Sequence, residues 1–259
     1  MTFEIRPADP PSQSFTRRFR EGGASRVVQM GWHGTRGGYW EDGVYVPAAH
    51  GVQVQATENW FSNPANDRGG WGGSADFLIG FDDRSGKVEV VEFHDWERYF
   101  ASWAAGYGAY GSTVEYGAST VEISVEVAES YDGDPLSDDE VDACVWLTRH
   151  INGRLAELGL PAIPSVAIPF WNQLLSEPVP AGHISHQRLA NGKRLGKSDI
   201  GEANFLRIVE AVQGEPDIPT PGPEEPDIQP TDPNVAVTLG PGRYRTTQPS
   251  TIIVDQPPD

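Results

Sequence analysis

The sequence predicts an α/β protein, a central mixed β-sheet flanked by α-helices. Three observations carry that expectation: short apolar runs with strand periodicity, longer stretches with helical periodicity, and the interleaving of the two along residues 25–212. The 259 residues are 38% hydrophobic, which suffices for one full-sized domain with accessories.

Taken in order, RVVQM at Arg26–Met30 and the run Asp76–Phe81 read as strands. The second leads through the turn sequence DDRSG into Lys87–Glu92, where apolar and polar residues alternate. Val121–Val127 alternates most regularly of all and is the most strand-like segment. A helix starts at Ser137, where Ser137-Asp138-Asp139-Glu140 forms a capping box and places acids at the positive helix end. Val141, Cys144, Val145, Thr148, Ile151, Leu155 and Leu158 follow at helical spacing, and Gly159 with Pro161 ends the helix. Cys144 lies on that inward stripe and reads as a small core residue. A last helix, Gly201 to Val212, turns Phe205, Ile208, Val209 and Val212 inward. The glycine-rich GYGAYGSTVEYG lacks the strand-turn-helix setting of a phosphate loop.

Proline marks a boundary, because 11 of the 22 prolines fall between Gln213 and Asp259. Residues 1–24 read as an N-terminal extension and 25–212 as the folded domain. Residues 213–234 read as an acidic, proline-rich, disordered linker, and 235–259 as a short strand-like tail or the start of a further module. The net charge is −18, from 19 Lys and Arg against 37 Asp and Glu. That excludes broad nucleic-acid or anionic-membrane binding, both of which need a positive surface. One cysteine excludes disulfide frameworks and zinc sites built on several thiolates, so any metal must be held by histidine and carboxylate. No apolar run resembles a leader or a bilayer span, and the chain is expected to be made in the cytoplasm.

Six histidines are present, and their settings rank them. His150 sits in the last half of the capped helix, His94 stands among acids and aromatics in EFHDWERYF, and His50 lies in a loop of Gly, Ala and Pro. His33 follows the first strand within GWHGTRGG, where a rigid scaffold presents a ligand. His183 stands in PVPAGHISH, and GKSDIG, with Asp199, follows at the start of the last helix. Two loop histidines and a carboxylate match the three-ligand arrangement of a catalytic zinc, although Asp199 also fits a helix N-cap. His183 and His186 form a rival HxxH pair, which needs a helix that Gly182, Pro178 and Pro180 oppose. Trp32, Trp40, Trp60, Trp71 and Trp103 stand in Gly-rich segments, read either as packing or as stacking faces for sugars.

These pieces resemble, in order, the zinc-dependent N-acetylmuramoyl-L-alanine amidases of type 2, whose fold is shared with phage lysozyme-like amidases and peptidoglycan recognition proteins. VVQMGWHGT resembles the first strand and its zinc histidine, SADFLIGFDDRSGKV the next two strands, and SWAAG a Trp-His-Ala-Gly segment. ISVEV resembles the strand bearing the catalytic glutamate, and GH followed by GKSDIG the Gly-His and Lys-Ser/Thr-Asp-Pro-Gly signature. The resemblance implies His33, His183 and Asp199 as zinc ligands, Glu126 as the base that activates water, and Lys197 beside the developing oxyanion. Spacing alone does not choose between Glu126 and Glu122, which share a strand face; the resemblance favours Glu126. The chain departs from the pattern at Ala75-Asp76, at Trp103-Ala104-Ala105-Gly106 and at Ile200 in place of proline.

The expected activity is therefore zinc-dependent cleavage of the amide between N-acetylmuramic acid and L-alanine in bacterial peptidoglycan. A non-catalytic recognition module and a zinc peptidase acting on the stem peptide are the alternatives. The missing leader and the spacer fit a bacteriophage endolysin that is made in the host cytoplasm and reaches the wall on release. A net negative charge gives such an enzyme no electrostatic attraction to an anionic wall.

Overall fold

A computed structural model describes residues 2–9, 18–20, 22–35, 38–42, 44–47, 49, 51–62, 75–100, 117–128, 133–173, 177–195 and 200–214. SWAAG, nearly all of GYGAYGSTVEYG, His50, Lys197, Asp199, the linker from residue 215 on and the strand-like tail lie outside the described residues, while Gln213 and Gly214 end the last helix. The strands are β1 (Ile5–Pro7), β2 (Arg18–Phe19), β3 (Gln29–Thr35), β4 (Gly38–Glu41), β5 (Val44–Pro47), β6 (Phe77–Asp82), β7 (Lys87–Glu92), β8 (Tyr99–Phe100), β9 (Glu122–Ala128) and β10 (Gly182–Ser185). The helices are α1 (Gln53–Ser62), α2 (Asp138–Glu157), α3 (Ala190–Leu195) and α4 (Glu202–Gly214).

The main sheet has six strands in the order β1-β7-β6-β9-β3-β10, and β2–β8 and β4–β5 form separate two-stranded pairs. β6, β9, β3 and β10 run parallel, β6 and β7 form an antiparallel hairpin, and β1 runs parallel to β7. The sheet is mixed, as the periodicities predict, and carries helices on both faces. The stretch before residue 25 contributes more than an extension, since Ile5 pairs with Val90 and makes β1 an edge strand.

The two faces differ in kind. On one, Met30, Trp32, Phe77, Ile79, Val90, Ile123, Val125 and Val127 pack against Val141, Cys144, Leu147, Ile151 and Leu155 of α2 and Phe205, Ile208 and Val209 of α4. On the other, Leu78, Val91 and Ala128 pack against Val54 and Phe61 of α1. Across β3 and β9 that second face is polar. The register sets Gly31 beside Ser124 and His33 beside Glu126, with Glu122 at the start of β9 on the same side. α2 begins with the capping box read from the sequence: Ser137 Oγ accepts from the Glu140 amide at 3.2 Å, and the Glu140 carboxylate accepts from the Ser137 amide at 2.8 Å. Gly159, at φ 70°, supplies the left-handed residue that ends it.

The first strand departs from expectation. Gly23–Arg26 is a 3-10 turn, and β3 begins at Gln29 and runs on through His33 to Thr35. Its second half pairs with Ser124–Ala128 of β9 and faces Glu122 and Glu126, a polar lining that an apolar periodicity does not register.

Candidate metal centre

In a parallel sheet, side chains at the carboxyl ends of the strands meet the crevice where ligands bind. His33 occupies that end of β3, and Glu126, its register partner on β9, shares its face and is half-buried. His186 is the first residue of a 3-10 turn, His186–Arg188, entered directly from β10. The turn is pressed against α3: a Cβ at Gly192 would lie 1.8 Å from the His186 carbonyl oxygen, so only glycine fits there. The turn brings the His186 ring edge-on to His33, with centroids 5.1 Å apart and an interplanar angle of 73°. Two imidazoles sharing one tetrahedral ion at metal–nitrogen distances of about 2.0–2.1 Å have ring centres about 5 Å apart. The pair therefore fits a shared divalent metal. Both residues are buried, at 1% and 7% exposure. Among the described residues no group of three or more His, Cys, Asp or Glu side chains forms a metal-binding set, and Asp199 is not among them.

His183 is not brought to His33. It pairs in register with Met30, which puts its ring on the opposite face of the sheet. There the Trp32 indole Nε1 donates to His183 Nδ1 at 3.0 Å, and the two rings stack at 6.0 Å. That bond makes Nδ1 an acceptor and leaves the proton on Nε2. Burial pushes its pKa down to about 4, so His183 is a neutral core residue. The expected partnership of His33 with His183 is thus replaced by His33 with His186. The two histidines of GHISH stand three residues apart, one inside a strand and one past its end, so their rings face differently and only one can join His33. Of the others, His94 is buried, and His150 stacks on Trp146 at 5.4 Å.

Beneath the histidine pair lies a buried charge network. Glu122 is fully buried; its Oε1 lies 3.0 Å from His33 Nε2 and accepts from Ser124 Oγ at 2.9 Å. Arg20, also fully buried, donates to the carbonyls of Thr120, Tyr99 and Glu122 at 2.9, 3.2 and 3.2 Å. Its charge is offset by Asp76 and Glu122. Asp76 accepts the Ser124 amide at 2.8 Å, and burial, opposed by Arg20, pushes its carboxyl up to about 7.

The sign of the resulting pH effect follows from linkage. Between its ordinary value and about 7, folded Asp76 keeps a proton that the unfolded chain has released, so stability falls as pH rises through that window and levels off above it. Urea titrations of wild type and Asp76→Asn from pH 4.5 to 8 are expected to show a shallower decline in the variant. Parallel curves would remove Asp76 as the source.

Fold and site together define an α/β protein with a histidine pair at the carboxyl edge of its parallel strands. No protein-family model and no curated protein matches the sequence. Among solved structures, the chain is similar to a mutant of PlyL, at 13% identity and TM-score 0.41, over 83% of this chain and 100% of that one. It is similar also to the Staphylococcus aureus hydrolase AmiA in complex with its ligand, at 13% identity and TM-score 0.41, over 81% of this chain and 82% of that one. Likeness at this level carries nothing about chemistry, which rests on the residues themselves.

Proposed function

We propose that the protein is a zinc-dependent peptidoglycan amidase that hydrolyses the amide between N-acetylmuramic acid and L-alanine. His33, His186 and Asp199 would hold the metal. The observation that carries the reading is the convergence of two buried imidazoles, 5.1 Å apart, on the sheet face that also bears Glu126. Asp199 and Lys197 enter from the sequence signature GKSDIG alone. When bound, zinc supplies Lewis acidity toward the amide carbonyl and lowers the pKa of water.

Glu126, next to His33 and half-buried, takes the proton from the attacking water and passes it to the leaving nitrogen of L-alanine. Lys197 places a cation beside the oxyanion that develops on the carbonyl. His33 and His186 serve as ligands in their neutral form, through a ring-nitrogen lone pair.

The test is mass spectrometry of peptidoglycan digested by the zinc-loaded full chain. Stem peptides released with a free L-alanine amino terminus are expected. Glu126→Gln should keep zinc while losing about 10²–10⁴-fold in rate. Intact sacculi that still bind the protein would make it a recognition module, and cuts inside the stem peptide would make it a peptidase.

A further inference from the structure

Two glutamates share one face of β9, and the geometry gives them different work. Resting on the zinc reading above, we propose that Glu122 is the positioning residue of the centre: it holds the Nε2–H of His33, so that Nδ1 is the nitrogen His33 offers to a divalent metal.

Four observations carry this. First, Glu122 Oε1 lies 3.0 Å from His33 Nε2, with 0% and 1% exposure for the two residues, so water does not compete for the bond. A carboxylate only accepts, which puts the proton on Nε2 and makes Nδ1 the electron-pair donor. Second, the carboxylate is itself held, since Ser124 Oγ donates to the same oxygen at 2.9 Å. Third, the neighbouring strand is shaped around it: a Cβ at Gly31 would lie 1.9 Å from Glu122 Oε1, so glycine leaves the space through which the side chain reaches His33. Fourth, the buried Arg20 donates to the Glu122 carbonyl at 3.2 Å and sets a cation near the carboxylate, which offsets the cost of burying it.

Ligating histidines generally give their second N–H to such a group, which fixes tautomer and ring orientation, and loss of the partner costs about 10–100-fold in metal affinity. The role given to Glu122 is thus distinct from the one proposed for the half-buried Glu126.

The test uses the full chain with two readouts, ¹⁵N NMR of the His33 ring without metal at pH 8, and zinc affinity by chelator competition. Wild type is expected to show His33 as the Nε2–H tautomer. Glu122→Ala, and Gly31→Ala, which displaces the carboxylate without deleting it, should show a tautomer mixture and bind zinc up to about 100-fold more weakly. The isosteric Glu122→Gln, whose amide oxygen still accepts, should keep the tautomer and lose about 10-fold, which also serves if Glu122→Ala does not fold. Zinc binding that is indifferent to all three variants, or an Nδ1–H tautomer in wild type, would overturn the role of Glu122 and leave the zinc reading standing. A wild-type chain that shows the Nε2–H tautomer but binds no zinc would overturn the zinc reading, and the metal-directed role with it.

Discussion

His186→Ala is expected to lose bound zinc and at least about 10³-fold of the hydrolytic rate, because the activated water goes with the metal. His183→Ala is expected to keep both. The contrast is sharp because the residues are so close in sequence. The ring of His186 meets that of His33 at 5.1 Å, whereas the ring of His183 lies across the sheet under Trp32. Removing His183 leaves the buried Trp32 N–H without its acceptor and opens a cavity, for a stability loss of about 2–4 kcal/mol. Zinc content by atomic absorption, read beside urea denaturation, separates the effects. A folded His183→Ala variant stripped of zinc would reverse the assignment.

Arg20→Met should be the most damaging substitution away from the histidines, at about 3–5 kcal/mol, the usual penalty for leaving buried charge without its partner. The guanidinium satisfies three carbonyls and neutralises Asp76 and Glu122 from a fully buried position. The deficit is expected to grow with pH, since Asp76 can take a proton at low pH and spare itself the uncompensated charge. Adding Asp76→Asn to Arg20→Met should recover part of the loss. Urea midpoints at pH 5 and pH 8 test both statements, and equal deficits at the two would exclude Asp76 from the account.

How much of this was legible beforehand depended on where each element puts its apolar side chains. β9 alternates cleanly and α2 declares its own start, so local pattern and tertiary burial agreed there. α1 gives the sheet side Val54 and Phe61, with Trp60 at the margin, a sparse stripe in ten residues, and β1 and β10 are too short to hold a period, so none stood out. Within the site, His33 was visible as a histidine at a strand end, and Glu126 as one of two glutamates on a strand face. The part of Glu122 was not visible. It depends on a glycine one strand over and an arginine about a hundred residues earlier, neither of which leaves a local mark. The choice of His186 over His183 turned on which face of β10 is opposite Met30, a register that only the assembled sheet defines.

The single cysteine has a practical use that follows from where it sits. Cys144 is buried between α2 and the sheet, and burial holds its thiol in the unreactive protonated form. A thiol reagent reaches it only when α2 lifts from the sheet or the domain opens altogether. The rate of labelling in native buffer is then a clock for that opening, available without engineering a probe. Run with and without added zinc, the same clock reports whether zinc at the proposed centre on the far face of the sheet restrains the helix on the near one.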